Sequence, residues 1–212
     1  MTMIDLSFTI SANQPIPVDH GYRLFAAISS LVPQIHGIRD GLGIHPIRGQ
    51  QIGNRQLQLV APLSRLTLRL DTDHIASILP LAGMRLDLGT TSITVGIPEV
   101  RALVLAPALR SRLVTTKNCT DQARFETELR RQLDALSISS QAQFIIPINH
   151  AGKPRRRTLR IRDKEIVGYE TIVECLTAEE SLALQTHGLG GRRHMGCGVF
   201  VPFDAREGGS DG

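Results

Sequence analysis

The stretch TAEESLALQTHGLGGRRHMGCGVFVPF, residues 177–203, decides the fold of this chain. It predicts a helix, because Thr177 can cap the first turn while Glu180 stands at the capping-box position three residues later. Gly188 is placed to end that helix. The run GCGVFVPF that follows has the apolar and aromatic content of a strand. A helix that leads through a glycine-rich segment into a last strand is typical of the end of a β-α-β-β-α-β unit.

The residues before this stretch supply the rest of such a unit. The segment DQARFETELRRQLDALSI (121–138) predicts an amphipathic helix, with Asp121 near its start. Its apolar residues share one face: Phe125, Leu129, Leu133 and Leu136. Strand-like segments lie on both sides of this helix, at 100–117, 142–150 and 156–176.

The first half of the chain repeats the same order of elements. MIDLSFTIS (3–11) alternates apolar and polar residues, as a half-buried strand does. VDHGYRLFAAISSLVP (18–33) carries a helical apolar stripe that Asp19 can cap and that stops before Pro33. The remaining segments are a glycine-rich loop (35–53) with room for one short strand, two alternating strands (55–62 and 64–70), a short helix (71–83) that Gly83 can end, and closing strand material (84–96).

Two successive β-α-β-β-α-β units predict an α+β protein with a tandem ferredoxin-like (RRM-like) fold. We place the first domain at residues 1–98, the second at 99–204 and a disordered tail at 205–212.

The composition limits the classes of function. The net charge is +4, and arginine outnumbers lysine, which fits a phosphate-bearing partner but also a genome that favours arginine codons. No apolar run approaches the roughly 20 residues that span a bilayer, and no secretory signal is indicated. The three cysteines, Cys119, Cys175 and Cys197, show no paired spacing. That pattern fits a reducing cytosol, with the cysteines as packing residues, and argues against a disulfide framework or a structural zinc site.

The segment GLGGRRHMGCG (188–198) combines backbone freedom with positive charge. Exposed N–H groups beside arginines can hold phosphates. The segment lacks the spacing of a nucleotide-binding P-loop, and it precedes a strand where a dinucleotide fold requires a helix. A flexible surface hairpin is the alternative interpretation.

HGLGGRRHMGCGVF, between a short helix and the last strand, resembles the C-terminal glycine-rich loop of the RAMP superfamily. More narrowly, VGYETIVECLTAEESLALQTHGLGGRRHMGCGVFVP (167–202) is similar to the MYXAN-type variant of the CRISPR repeat-processing endoribonucleases, the Cas6 family. IPVDHGYRLFAAISSLVP (16–33) resembles the family's first helix.

The resemblance implies an endoribonuclease that binds CRISPR repeat RNA, as a stem-loop, and cuts at the 3′ base of the stem. The resemblance implies that the reaction needs neither a metal ion nor a cofactor. A ribose 2′-oxygen attacks the neighbouring phosphorus and leaves a 2′,3′-cyclic phosphate and a 5′-hydroxyl. The resemblance also allows the product to stay bound while the protein joins other subunits of an effector complex.

Proton transfer in that reaction suits histidine, whose unperturbed pKa lies near 6.5. His36 falls where many members of the family carry their catalytic histidine, so we rank it ahead of His20 and His45. Tyr22 stands in the first helix, where the family often adds a tyrosine, although core packing explains it equally well. Ser29 stands where some members place that tyrosine.

For RNA binding we select the glycine-rich segment and the basic run KPRRRTLRIR (153–162). The predicted RNA-binding residues are Lys153, Arg155, Arg156, Arg157, Gly188, Gly190, Gly191, Arg192, Arg193, His194, Gly196 and Gly198.

Two other functions stay open from the sequence. The same fold can bind repeat RNA as a structural subunit without cutting it, and that role needs no correctly placed histidine. A small-molecule phosphate enzyme is disfavoured, because the chain has neither a P-loop nor a set of acidic metal ligands.

Overall fold

The computed structural model describes residues 2–39, 41–117 and 121–204. It divides into two compact units. The first unit takes in the chain up to Ala102, together with Leu159–Lys164 and Arg193–Gly196. The second takes in the rest of the described chain. The predicted tail (205–212) and Cys119 lie outside the described residues.

The first unit is built on a five-stranded antiparallel sheet. Its elements are β1 (Met3–Ser11), β2 (Ile16–Pro17), α1 (Gly21–Leu31), α2 (Ile35–Ile38), β3 (Gly43–Ile44), β4 (Gln50–Gln51), β5 (Gln56–Gln58), β6 (Arg65–Asp71), the 3-10 helix η1 (Thr72–His74), α3 (Ile75–Ile78), the 3-10 helix η2 (Leu79–Leu81), β7 (Arg85–Asp87) and β8 (Ser92–Ala102). The sheet order is β3-β6-β1-β8-β7, while β2, β5 and β4 form a separate small sheet. Alternate β1 residues, Ile4, Leu6 and Phe8, are buried, as the sequence pattern predicts.

The second unit has a five-stranded sheet, four strands of which follow the same plan. Its elements are β9 (Leu109–Val114), α4 (Gln122–Ala135), β10 (Gln143–Ile145), β11 (Arg156–Ile161), β12 (Lys164–Glu174), α5 (Ala178–His187) and β13 (Val201–Pro202), and a third 3-10 helix, η3 (Arg193–Met195), precedes β13 in the chain. The sheet order is β10-β12-β9-β13, with β11 paired to β12. The tips of the β11–β12 hairpin and of the loop that contains η3 group with the first unit.

Both sheets place the first ferredoxin strand between the third and the fourth, with the second outside the third. In the first unit those strands are β1, β3, β6 and β8, and in the second they are β9, β10, β12 and β13. The tandem ferredoxin-like prediction is therefore confirmed.

Of the three helix N-caps predicted from the sequence, the structure confirms two. In α5, Thr177 accepts from the Glu180 N–H, and the Glu180 carboxylate accepts from the Thr177 N–H, which completes the predicted capping box. Asp121 caps α4 as expected. Asp19 does not cap α1, because that helix begins at Gly21 and the Asp19 carboxylate accepts from the Arg160 N–H.

Several segment boundaries in the structure differ from those predicted from the sequence. The predicted domain boundary at 98/99 lies inside β8, and the strand-like segment 100–117 divides between β8 and β9. The loop at 35–53, which the sequence predicts with room for one short strand, contains two short strands, β3 and β4, and the helix α2. Cys197 is buried, whereas Cys175 is exposed, so the packing prediction is wrong for Cys175. Across the described ranges, no helix is both long enough and apolar enough to cross a membrane.

Candidate functional site

The glycine-rich loop, residues 188–198, is shared between the two units. Arg193–Gly196 belong to the first unit, while residues 188–192 and 197–198 belong to the second. The neighbours Arg192 and Arg193, which the sequence presents as a pair, therefore have separate surroundings.

Within the first unit, η3 is seated against the start of α1. Met195 packs on the buried core of the first unit. A Cβ built on Gly21 would overlap the Met195 carbonyl oxygen, so only glycine lets the turn approach α1 this closely. Gly196 lies beside Pro46, with a built Cβ 3.4 Å from the proline ring. The turn is thus fixed to the helix that carries Phe25.

Arg193 is a buried cation with unused hydrogen-bond donors. Its side chain is only 8% exposed, and its Nε and Nη2 atoms have no hydrogen-bond partner in the structure. Burial, with a smaller contribution from the charge of Arg69, lowers the pKa of Arg193 to about 10, which leaves it positively charged at neutral pH. Unpaired buried N–H groups are costly, so an anion that reaches this guanidinium would satisfy them.

Two histidines contact the same aromatic ring of α1. The His194 ring centroid lies 4.6 Å from that of Phe25, with the planes tilted by 56°. The His36 ring stands edge-on to Phe25 at 5.6 Å. Phe25 is buried, His194 is half-buried and His36 is exposed. One phenyl ring therefore positions both imidazoles, and both histidines belong to the first unit.

His20 has both ring nitrogens occupied by the backbone. Its Nδ1 lies 2.9 Å from the Pro17 carbonyl oxygen, and its Nε2 accepts from the Ile47 N–H at 3.0 Å. The ring is 2% exposed. An Nε2 that accepts from a backbone N–H cannot carry a proton at the same time. In this structure His20 joins the start of α1 to the segment after β3.

His45 is half-buried beside the ion pair of Asp5 and the fully buried Arg69. Arg69 donates two hydrogen bonds to the Asp5 carboxylate, at 2.8 and 2.9 Å, and His45 Nε2 lies 3.3 Å from Asp5 Oδ1. Burial lowers the pKa of His45, and the attraction of Asp5 does not offset it. Burial alone would raise the pKa of Asp5, but the hydrogen bonds and charge of Arg69, with His45 nearby, hold it well below its usual range.

The two remaining catalytic candidates also have local partners. Ser29 is buried, and its hydroxyl donates to the Phe25 carbonyl one turn earlier at 2.7 Å. The half-buried Tyr22 hydroxyl accepts from Arg162 Nε at 3.3 Å.

Within the second unit, the glycine-rich loop borders an open pocket of about 510 Å³. Its lining residues are Thr115, Thr116, Lys117, Glu128, Gln132, Gly190, Gly191 and Arg192. Arg192 Nη1 lies 3.5 Å from Thr115 Oγ1, and the buried Thr116 Oγ1 has no hydrogen-bond partner. The Lys117 and Arg192 cations and the hydroxyl groups suit a phosphate-bearing ligand.

The glycines of the loop allow close backbone contacts. A Cβ on Gly198 would overlap the Leu189 carbonyl oxygen, and the Gly198 backbone has a φ of +63°. Gly190 donates its N–H to Gln132 Oε1 at 2.6 Å, and its φ is +73°. Gly188 ends α5 with a φ of +66°, while Gly191 has open space around it.

The basic residues of the run 153–162 fall into two groups, those that form ion pairs and those that are exposed. Arg155 and Arg157 both lie near the carboxylate of Glu170, at 3.7 and 3.4 Å. Lys153 and Arg156 are exposed.

Glu170 also pairs with Arg110 at 2.7 Å and is 1% exposed, so one buried carboxylate organises three arginines. The group keeps an excess of positive charge.

Sequence reasoning missed Phe25 and Glu170 as organising residues. In the sequence, nothing distinguishes Phe25 from the other apolar residues of the helical stripe in segment 18–33. The signal for Glu170 is a lone carboxylate within the apolar run GYETIV, which a strand buries only with a partner. Among the described residues, no group of three or more His, Cys, Asp or Glu side chains could hold a metal ion.

Comparison with known proteins identifies the family. A family model described as Cas6 Crispr matches residues 4–205. The CRISPR-associated endonuclease Cas6 of Myxococcus xanthus (strain DK1622) is 36% identical over 202 residues, which cover 95% of this chain and 82% of that protein.

Solved structures share the fold at low identity. A RAMP protein described as binding different RNA substrates has a TM-score of 0.63 at 15% identity and covers 96% of this chain and 100% of its own. A Cas6-related protein from Pyrococcus furiosus has a TM-score of 0.62 at 14% identity, with 96% and 99% covered. A CRISPR-associated Cas6 protein has a TM-score of 0.61 at 14% identity, with 95% and 99% covered.

The burial of His45 predicts a pH dependence of stability. Its pKa is lower in the folded chain than the ordinary value of about 6.5, so below that pH the unfolded chain binds the extra proton. The free energy of unfolding should therefore fall as the pH drops from 7.5 to 5, by at most about 1.4 kcal/mol per pH unit from this group. Urea unfolding of His45→Gln should show a flatter profile, with the exposed His150→Gln as control. Equal slopes for His45→Gln and the unsubstituted chain would contradict the assignment.

Proposed function

The chain belongs to the Cas6 family of CRISPR proteins, and on that premise we propose that it cuts CRISPR repeat RNA, without a metal ion, by attack of a ribose 2′-oxygen. Its 36% identical relative is named as an endonuclease, and the match extends over 95% of this chain. An RNA endonuclease that binds and processes CRISPR repeat RNA is the activity that this kinship supports.

The observation that carries the chemistry is the placement of His36. Its imidazole is exposed on α2 while one edge contact with the buried Phe25 orients it. His20, by contrast, has both nitrogens on the backbone, and His45 faces Asp5 with only 14% of its side chain exposed. Of these three histidines, His36 is the only one that is exposed, so we assign proton transfer to it.

The reaction proceeds by transesterification within the RNA. The 2′-hydroxyl loses its proton, the 2′-oxygen bonds to phosphorus, and the bond from phosphorus to the 5′-oxygen breaks. The leaving oxygen takes up a proton, which gives a 2′,3′-cyclic phosphate and a 5′-hydroxyl. Negative charge grows on the phosphoryl oxygens during this step, and fixed cations stabilise it. Arg193, a buried cation with free donors, is suited to that task.

Binding of the RNA backbone is assigned mainly to the second unit. Arg192 and Lys117 line the pocket beside the glycine-rich loop, and Lys153 and Arg156 are exposed on the basic run. Arg155 and Arg157 can contribute charge from their places around Glu170. Such contacts recognise phosphates and the shape of the RNA, which fits a chain without tryptophan.

The first test compares two repeat RNAs in the presence of EDTA, one of them with a 2′-deoxy nucleotide at the cut. The all-ribose RNA should be cut and the 2′-deoxy RNA should stay intact, because the nucleophile is missing. His36→Ala should slow single-turnover cleavage of the all-ribose RNA by about 10²- to 10⁴-fold, the usual effect of losing a general acid or base.

His74→Ala, which removes a histidine of the same unit, is the control for that test and should cut at the original rate. Cleavage that requires an added divalent cation would contradict the proposal. Tight binding with no cutting of either RNA would instead support a structural RNA-binding subunit.

The second test examines Arg192 by the salt dependence of binding. Each phosphate contact releases about 0.7 to 0.9 counterions, so losing one contact makes the plot of log Kd against log salt less steep by that amount. Arg192→Ala should show this change with the uncleavable 2′-deoxy RNA. Arg124→Ala is the matched control, because Arg124 is exposed on α4 and pairs with Asp121. An unchanged slope for Arg192→Ala would refute the contact.

A further inference from the structure

We infer that His194 is a second catalytic residue, and that it and His36 carry out the two proton transfers of RNA cleavage as a pair. This inference rests on the proposed function. From the sequence, His194 is a weaker catalytic candidate than His36, His20 and His45, and a phosphate contact is the preferred interpretation.

Several contacts hold His194 in a defined position. His194 lies in the middle of η3, and the next residue, Met195, packs on the core. The turn can approach α1 closely because residue 21 is a glycine, which has no side chain to block it. The His194 ring also contacts Phe25. A histidine on a loose surface turn would lack these constraints, whereas a catalytic group must be held in a defined position.

His36 and His194 lie against the same aromatic side chain. Both imidazoles contact one phenyl ring, at centroid distances of 5.6 Å for His36 and 4.6 Å for His194. The separation of the two imidazole centroids therefore cannot exceed the sum of those distances. Because Phe25 is buried in α1, it fixes the two rings relative to each other before any RNA binds.

The cleavage reaction requires two proton transfers. In an in-line displacement, the attacking 2′-oxygen and the leaving 5′-oxygen lie on opposite sides of the phosphorus. One group must accept the 2′ proton while another, already protonated, donates to the 5′-oxygen. Two separate imidazoles meet this requirement in one turnover, and exchange with water then restores both protonation states.

The neighbour of His194 supports the same location. Arg193 is 8% exposed, and two of its nitrogens lack partners, so this turn presents unsatisfied positive charge. A phosphodiester that binds there would satisfy those donors and bring its ester oxygens close to the adjacent residue.

The test uses His194→Phe, which keeps an aromatic ring against Phe25 but cannot carry a proton, alongside His194→Ala. Both should slow cleavage of the all-ribose RNA by about 10²- to 10⁴-fold. Binding of the 2′-deoxy RNA and the melting temperature of His194→Phe should stay close to those of the unsubstituted chain. A His194→Phe variant that cuts at the original rate would show that the ring serves packing alone and would overturn the inference.

A sulfur-substituted substrate assigns the two roles. When sulfur replaces the bridging 5′-oxygen at the cut, the leaving group departs as a thiolate and needs no proton. Either His36→Ala or His194→Phe, whichever lacks the acid, should regain most of its rate on this substrate, and the other should not. Rescue of both variants or of neither would overturn the division of labour.

The same experiments separate this inference from the proposed function. Cleavage in EDTA that depends on the 2′-hydroxyl and on His36, but not on His194, would leave the proposed function standing without the pair. Absence of any cleavage by the unsubstituted chain would reject both.

Discussion

The close approach of a loop backbone to the start of a helix is the constraint on which the proposed site depends. The Met195 carbonyl occupies the space where a side chain at position 21 would begin, so glycine is required there. One turn further along α1 stands Phe25, and the residue before Met195 contacts its ring. A single glycine therefore lets the glycine-rich loop deliver an imidazole to the first unit. Without that seating, His194 would lose its fixed relation to His36.

The mixture of glycine and charge in this loop follows from its division between the two units. Gly190 and Gly198 adopt positive φ angles and touch backbone carbonyls within the second unit, where a side chain would not fit. Arg192 faces a pocket of the second unit, whereas Arg193 is buried in the first. Backbone freedom lets consecutive arginines take different surroundings, one suited to holding RNA phosphates and the other to stabilising charge during the reaction.

Local signals in the sequence predicted the repeated strand–helix order, the α5 capping box and the buried stripe of α4, because short-range contacts decide these features. The site was less predictable, since its partners are distant in the chain. Nothing near His20 indicates that the Ile47 N–H occupies its Nε2, and nothing near Arg155 points to Glu170. Two-residue strands such as β3 carry too little pattern to detect, although β3 completes the ferredoxin order of the first sheet.

The most direct test is an NMR measurement of contacts between the ring protons of His194 and those of Phe25 in the isotope-labelled free protein. We predict clear nuclear Overhauser effects between the two rings, together with effects from His36 to the same phenyl ring. That result would show that both imidazoles are positioned before RNA binds. Narrow, random-coil-like His194 signals without any effect to Phe25 would contradict the seating of the loop, and with it the paired site.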